Sequence, residues 1–258
     1  MKKITVLFVG YGNMALAILQ GAIKAGLQDR YHFEITGRSE QKAQDFLKKN
    51  GLEKNLSVVS SDTSLRIEDK IVFLCIKPYG LSSFDFHGRA KEVISVLAGI
   101  KVADLKQVIE SEGYACVMPN TAASCQRSSS AVYYEGKDFN LVEEIVNSFG
   151  SCVRVDNEQL INASIAVSGS GLAFASLVAQ ALIDSGVREG FQRNQSYELV
   201  SGMLEGLSVL LKEKTPQEII ESITSPAGTT IEGLSVLESK GVRGAFIEAA
   251  HQAVLKVK

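Results

Sequence analysis

The chain has 258 residues, enough for two modest domains with cores of their own. Hydrophobic residues make up 45% of it and the net charge is −2, an ordinary globular composition without a basic block for nucleic acid. The short apolar run after Lys3 is broken at Gly10 and no cleavage site follows, so we expect no export signal and a cytoplasmic protein.

The cysteines and histidines show no metal-ligand spacing. None of Cys75, Cys116, Cys125 and Cys152 belongs to a C-x-x-C pair, and three of them lie in apolar, strand-like runs. This pattern is typical of buried, reduced thiols in a cytoplasmic protein. The three histidines are scattered, so we predict no metal site.

Residues 1–156 alternate between strand and helix patterns. The nearly continuous apolar run 4–9 is typical of a parallel strand covered on both faces, and a helical pattern follows at 14–25. Ser39 and Gly51 are the expected N-cap and stop of a second helix. Further strands are predicted at 32–36, 56–60, 71–76, 93–97, 115–118, 131–133 and 152–155. The alternation predicts an α/β fold with a parallel, doubly wound sheet.

Residues 157–258 have a helical pattern almost throughout, so we place a domain boundary near 156 and predict an all-α second domain. The stretch 165–183 is apolar enough to suggest a membrane span, but it is rich in Gly, Ala and Ser and contains Gln180. We interpret it as a helix buried in a helix-packed core or in a subunit interface.

A glycine-rich turn follows the first strand. Residues 10–15 read G-x-G-x-x-A and stand between a predicted strand and a predicted helix, the context that this motif requires. The first glycine permits a tight turn, the second lets the backbone approach a pyrophosphate, and the N–H groups at the helix start face the anion. The pattern predicts a dinucleotide site that begins with Gly10, Tyr11, Gly12, Asn13 and Met14.

The end of the second strand indicates which dinucleotide is bound. Enzymes that use NAD carry an acidic residue there, bonded to the ribose hydroxyls, whereas this chain has Thr36-Gly37-Arg38-Ser39. A guanidinium and a hydroxyl would bind a 2′-phosphate through charge-assisted hydrogen bonds. We therefore predict a preference for NADPH, with NADH as the alternative, unless Arg38 is merely a solvated surface residue.

Three further strand ends should meet at the same edge of the sheet. Lys77 follows the strongest strand, Ala98 the next, and Asn120 the one after that. Small residues at 98–99 suit a nicotinamide close to the backbone, and an amide at 120 suits its carboxamide. The same residues are also ordinary turn chemistry, and spacing does not separate the two interpretations.

Two segments of the helical half carry a family resemblance. Residues 168–173 read S-G-S-G-L-A and resemble the S-G-S-G-P-A of pyrroline-5-carboxylate reductases; residues 224–230 read T-S-P-A-G-T-T and resemble that family's T-S-P-G-G-T-T. The likeness extends over nearly the whole chain. It implies reduction of 1-pyrroline-5-carboxylate to L-proline, the last step of proline biosynthesis, with hydride from NAD(P)H. It also implies an N-terminal Rossmann domain, an α-helical dimerisation domain over 157–258, and homodimers that build larger rings.

The resemblance also assigns roles to particular residues. It implies substrate contacts at Glu158, Ser225, Gly228, Thr229 and Thr230, where Ser225 and the N–H groups of 228–230 suit a carboxylate and the Thr230 hydroxyl suits the ring nitrogen. Thr230 is therefore the catalytic candidate. The cofactor contacts implied are Ile76, which belongs to an I-K-P segment shared with the family, and Asp62.

The chain departs from the family pattern in places. Ala227 stands where the family has glycine, and the loop 121–127 lacks the usual proline and glycine. Asp62 stands where many relatives have asparagine, and a carboxylate there works against a 2′-phosphate.

Two other functions share part of this pattern. A β-hydroxyacid dehydrogenase or related imine reductase would have the same plan, but the hydroxyacid enzymes need a lysine on the long helix and residues 157–187 contain none. A non-catalytic NADP-binding regulator is disfavoured by the intact 225–230 segment.

Overall fold

The computed structural model describes residues 3–60 and 64–257. Its strands are β1 Ile4–Val9, β2 Tyr31–Thr36, β3 Leu56–Val58, β4 Ser64–Arg66, β5 Ile71–Leu74, β6 Asp85–His87, β7 Arg89–Ala90, β8 Glu92–Ser95, β9 Glu110–Ser111, β10 Tyr114–Met118, β11 Ser128–Glu135 and β12 Gly150–Arg154. Its α-helices are α1 Asn13–Lys24, α2 Glu40–Asn50, α3 Val102–Lys106, α4 Asn140–Asn147, α5 Gln159–Ser164, α6 Gly171–Arg188, α7 Arg193–Leu210, α8 Pro216–Ile223, α9 Thr229–Ser239 and α10 Val242–Leu255.

The central sheet has eight strands in the order β12-β11-β10-β8-β5-β1-β2-β3. Alternate residues of β1 enter different core clusters: Val6 and Phe8 one, Leu7 and Val9 the other. All four side chains are at most 1% exposed. Both faces of the strand are therefore covered, as its continuous apolar sequence predicts.

The sheet is mainly parallel, as predicted, with one antiparallel pair near its edge. From β3 to β10 the main-sheet neighbours pair in parallel, whereas β11 pairs antiparallel with β10 and β12 runs parallel to β11. The connection from β10 to β11 is a short 3-10 helix, Thr121–Cys125. A parallel return needs a crossover of a dozen or more residues, so this connection forces the chain to reverse direction.

Local capping signals confirm the predicted second helix. The Ser39 Oγ accepts a hydrogen bond from the Lys42 N–H at 3.3 Å at the start of α2. At its end, Gly51 adopts a φ of +67°, which glycine reaches without steric cost. The sequence alone did not predict α3, α4 or the short strand pairs β4–β6 and β7–β9.

The chain divides into two compact units, Met1–Gly169 with Val254–Lys258 and Ser170–Ala253. The first unit includes α5 because Ile161 is 5% exposed and belongs to the core cluster that contains Val102 and Cys116. The geometric division therefore falls later than residue 156, and the domain boundary at 156 remains a prediction. The second unit is helical, as predicted, and comprises α6 to α9 and most of α10.

The helical run Gln159–Arg188 is long and apolar enough, by length and composition only, to cross a membrane. It contains a π-helical turn at Ile165–Gly169, between α5 and α6. Within α6 only Ile183 is buried, and Leu177 is 68% exposed. Of the two placements predicted for this helix, burial in a core of the same chain is not what the structure shows, and burial in a subunit interface remains a prediction.

Candidate functional site

A cleft of about 720 Å³ opens where four adjacent strands, β8, β5, β1 and β2, end. This is the carboxyl edge of the sheet, where open α/β folds bind their ligands. The structure brings together here most of the predicted cofactor residues: Gly10, Tyr11, Gly12, Asn13, Met14, Arg38, Ile76, Lys77 and Ala98.

The two glycines of the turn have different roles. Gly10 has a φ of +113°, and a Cβ there would lie 2.7 Å from the Cys75 carbonyl oxygen, so the fold itself requires glycine. Gly12 has a φ of −88°, and a Cβ there would meet no atom within 4 Å. Because neither conformation nor packing explains Gly12, its missing side chain is best explained by close approach of a ligand.

The start of α1 has no group that would compete with an anion. No side chain caps it, and its first turn contains no acidic residue. By contrast, α2 has the Ser39 cap and Glu40 in its first turn. The first N–H groups of a helix have no intrahelical acceptor, so those of α1 remain available to a phosphate at the floor of the cleft.

The charged side chains that line the described part of the cleft are cationic. Arg38 and Lys77 are exposed there, and no carboxylate is among the described lining residues. Beside Arg38, the Tyr11 ring lies so close over Gly37 that a Cβ at 37 would overlap it. No group of three or more His, Cys, Asp or Glu side chains that could hold a metal ion occurs in residues 3–60 and 64–257.

Two of the predicted cofactor residues that the structure describes, Ser39 and Asn120, are not among those that line the cleft. The Ser39 oxygen caps α2, although its hydroxyl hydrogen is still available to donate. The Asn120 amide is engaged on both sides, because Oδ1 accepts from the Ala122 N–H at 3.0 Å and Nδ2 donates to the Ser168 carbonyl at 3.1 Å. Asp62 lies outside the described residues.

The structure also adds residues that sequence reasoning missed. Tyr79 and Gly80 line the cleft from the 3-10 helix Pro78–Ser83, and Thr121 lines it from the connection to β11. Tyr79 is 76% exposed. Tyr79 and Gly80 come two and three residues after Lys77, and Thr121 comes directly after Asn120, so extending those segments by one to three residues would have found all three.

The buried cysteines near the cleft are inert. Burial raises the pKa of the Cys75 thiol far above its usual range, and that residue lines the cleft. Burial, with the Glu158 carboxylate nearby, raises the pKa of Cys116 to about 12. Both groups are therefore neutral thiols at physiological pH and not nucleophiles. The structure shows Cys75 and Cys116 buried as predicted, but Cys152 only partly so.

The 225–230 segment forms a turn that leads into α9. The Gly228 N–H donates to the Ser225 carbonyl at 3.0 Å, with Pro226 second in the turn and Ala227 third at a φ of +56°. This is the pattern of a type II turn, whose third position favours glycine, which accounts for the family glycine at 227. The predicted nest of three N–H groups is reduced to those of Thr229 and Thr230, because the turn uses that of Gly228.

Glu158 is placed differently from Ser225 and the threonines. Its Oε1 accepts a hydrogen bond from the Val102 N–H at 2.5 Å and lies 3.7 Å from the Cys116 Sγ. A substrate contact from Glu158 would therefore have to use Oε2. The predicted substrate residues 225–230 belong to the second compact unit, and Glu158 belongs to the first.

Comparisons with known proteins agree with this arrangement. Residues 158–258 match the family model described as pyrroline-5-carboxylate reductase dimerisation, and residues 5–99 match the one described as NADP oxidoreductase coenzyme F420-dependent. The chain is 46% identical to the pyrroline-5-carboxylate reductase of Helicobacter pylori, over 97% of this chain and 98% of that protein.

Solved structures show the same fold. The 1-pyrroline-5-carboxylate reductase of Streptococcus pyogenes is 26% identical and matches with a TM-score of 0.84, over 99% of this chain and 98% of that one. The pyrroline carboxylate reductase of Plasmodium falciparum, solved with NADP bound, is 24% identical and matches with a TM-score of 0.79, over 100% of this chain and 98% of that one. This chain belongs to the pyrroline-5-carboxylate reductase family.

Proposed function

We propose that the chain reduces 1-pyrroline-5-carboxylate to L-proline and takes the hydride from NADPH in preference to NADH. The observation that carries the proposal is the cleft itself: an uncapped helix start and two cations meet at the carboxyl edge of the sheet in a member of this reductase family. Bound NAD(P)H would supply the hydride.

The cleft residues fit each part of the cofactor. The N–H groups of Asn13 and Met14 at the start of α1 hold the pyrophosphate, and the open space beside Gly12 admits it. The Arg38 guanidinium and the Ser39 hydroxyl bind the 2′-phosphate. Ala98, small and half-buried at the end of β8, provides a flat wall for the nicotinamide.

The start of α9 holds the substrate. Its carboxylate is bound by Ser225 and by the N–H groups of Thr229 and Thr230, which have no intrahelical acceptor. The Thr230 hydroxyl bonds the ring nitrogen and keeps its proton in place. A protonated iminium accepts hydride more readily than a neutral imine, so the protein needs to orient this species rather than supply a strong acid.

The functional protein is a cytoplasmic homodimer in which α6 to α10 of two chains cover each other, and such dimers assemble into larger rings. The apolar residues on the α6 surface support this proposal, since the chain itself leaves them uncovered. The match of residues 158–258 to a dimerisation domain supports it as well.

The direct test follows NADPH oxidation with 1-pyrroline-5-carboxylate and with its six-membered homologue. We expect turnover with the five-membered imine and a lower kcat/KM with NADH. Thr230→Val, which keeps the shape but removes the hydroxyl, should lower kcat/KM about tenfold or more, because it loses a hydrogen bond to a charged group. Thr230→Ser keeps the hydroxyl and serves as the matched control. No oxidation with either imine would contradict the proposed reaction.

A further inference from the structure

The helix α5 holds the loop that follows β8 through two side chains. Glu158 and Asn162 stand four residues apart, so they lie one above the other on one face of the helix. The Asn162 Oδ1 accepts a hydrogen bond from the Gly99 N–H at 3.3 Å, and the Glu158 Oε1 accepts one from the Val102 N–H at 2.5 Å. The two ends of the 99–102 segment are thus bonded to the same helix.

The segment bonded to Asn162 is a tight turn, and such a turn can adopt a type I or a type II form. The Ile100 N–H donates to the Leu97 carbonyl at 3.4 Å, and Gly99, third in the turn, has a φ of +77°. These are the features of a type II turn. The type I alternative differs by a flip of the central peptide, here the bond between Ala98 and Gly99, and glycine at 99 allows both forms.

The hydrogen bond to Asn162 favours the type II form of this turn. The hydrogen bond to Asn162 comes from the N–H of the central peptide itself. A flip would turn this N–H away from Asn162 and turn the Ala98 carbonyl toward it. With the Asn162 amide in its present orientation, a flipped peptide would face Oδ1 with the Ala98 carbonyl oxygen, so a flip also requires the amide to turn, and the present bond favours the type II form.

The helix that carries these side chains is itself fixed to the sheet. Ile161, between them in sequence, is 5% exposed and belongs to the same core cluster as Leu97 and Val102. The Cys116 thiol lies 3.7 Å from the Glu158 Oε1 and donates to the Ile100 carbonyl at 3.7 Å. Glu158 is therefore bonded to the loop and lies against the β10 thiol that is bonded to the same loop, which gives Asn162 a rigid base.

We propose that Asn162, supported by Glu158, is a positioning residue for hydride transfer: it fixes the Ala98–Gly99 peptide that forms the nicotinamide wall of the cleft. The inference rests on the proposed function, because Ala98 matters only if a nicotinamide lies against it. Asn162 does not line the cleft, and it acts through the loop alone.

The test compares three variants of the full-length protein. Asn162→Ala removes the acceptor, and we expect the Kd for NADPH to rise about fivefold and kcat to fall, as the loss of one hydrogen bond predicts. Asn162→Asp keeps an oxygen in the same place and should stay within about twofold of the parent. Asn147→Ala is the matched control, because the Asn147 Oδ1 accepts the Cys152 N–H at 2.9 Å outside the cleft lining.

The readouts separate positioning from mere stability. A structural bond would lower Tm alike in Asn162→Ala and Asn147→Ala and leave NADPH affinity unchanged in both, a result that would overturn the inference. Equal losses of affinity in Asn162→Ala and Asn162→Asp would overturn it too, since the acceptor would then be irrelevant. The proposed function is tested separately, by measuring whether the parent protein oxidises NADPH in the presence of the imine.

Discussion

The two halves of the molecule differ in how they bury their apolar side chains. The α/β unit has two core clusters, one on each face of the sheet. In Ser170–Ala253 the residues classed as buried are Ile183, Ser196 and Ile219, while Leu177, Tyr197 and Leu199 are each more than half exposed. The α/β unit therefore contains the interactions that stabilise it. The helical unit needs a further surface packed against its exposed apolar side chains.

This contrast separates two kinds of function. The cofactor cleft lies entirely within the self-contained half, so cofactor affinity should depend mainly on local residues. The loop 225–230, which we propose binds the substrate, lies in the half that lacks a core of its own. Substrate turnover should therefore be sensitive to self-association, whereas cofactor binding should be much less so.

The largest expected effect follows from a charge on the helical surface. Leu177 on α6 is 68% exposed in the single chain. Leu177→Glu should abolish the dimer and lower kcat at least tenfold, because a carboxylate would be buried without a partner. Size-exclusion chromatography with light scattering measures the mass. The control is Lys48→Glu, a charge reversal at an exposed position of α2, which should remain a dimer. A Leu177→Glu variant that is dimeric and active would contradict the idea that the helical half needs a partner surface.

A more local effect, confined to the use of one cofactor, is expected in the self-contained half. Arg38→Ala should lower kcat/KM for NADPH about tenfold to a hundredfold, the usual cost of losing a charge-assisted hydrogen bond. With NADH it should change less than about twofold, because NADH has no 2′-phosphate. The oligomeric mass should stay that of the parent. Equal losses with the two cofactors would remove Arg38 from 2′-phosphate recognition.

The core of this half also contains a titratable group. Glu92 is 5% exposed, and burial is the main cause that raises its pKa from 4.5 to about 7. The Tyr134 hydroxyl lies 3.0 Å from the Glu92 Oε1 and 2.9 Å from the Asp138 carbonyl oxygen, yet it has one proton to donate. A protonated Glu92 allows both contacts to be hydrogen bonds, because its carboxyl group donates to the Tyr134 hydroxyl while that hydroxyl donates to the Asp138 carbonyl.

The sign of the pH dependence follows from this pKa. Below pH 4.5 both folded and unfolded states hold the proton; between pH 4.5 and about 7 only the folded state does, so stability falls as pH rises. The free energy of unfolding of Glu92→Gln should therefore rise relative to that of the parent across that window, by about 3 kcal/mol, and the difference should level off above it. Urea denaturation of both proteins at several pH values measures this difference. A gain that does not change with pH would contradict the assignment.

The smallest expected effect is on the thermal stability of the loop 225–230, which we propose binds the substrate. Ala227 has a φ of +56°, a conformation that costs a non-glycine residue about 1 kcal/mol or more. Ala227→Gly should relieve this cost and raise Tm by about 1–2 °C, since glycine's greater freedom in the unfolded chain offsets part of the gain. Ala245→Gly, within α10, should do the opposite, because glycine is a poor helix former. A lower Tm in both variants would mean that position 227 is not strained.

Features with a local cause could be predicted from the sequence. The covered strand β1, the Ser39 cap and the Gly51 stop follow from short patterns, and the structure places them as expected. The glycine turn could be predicted as well, because its meaning depends only on the strand before it and the helix after it.

Features that depend on tertiary contacts could not be predicted. The direction of β11 is set by the length of a connection that has no clear turn signature. The engagement of Asn120 with Ser168, and of Asn162 with Gly99, joins residues 48 and 63 positions apart. The small-residue pattern of α6 could not distinguish a core helix from an interface helix, since both allow close approach.

Position 12 has a practical consequence for work on this protein. Since a Cβ at Gly12 would meet no atom of the chain, an alanine there would leave the folded state undisturbed while its methyl group occupied the path of the pyrophosphate. One added methyl group would thus prevent cofactor binding without affecting folding. Such a variant would provide intact apoprotein, in which assembly and imine binding could be measured apart from redox chemistry.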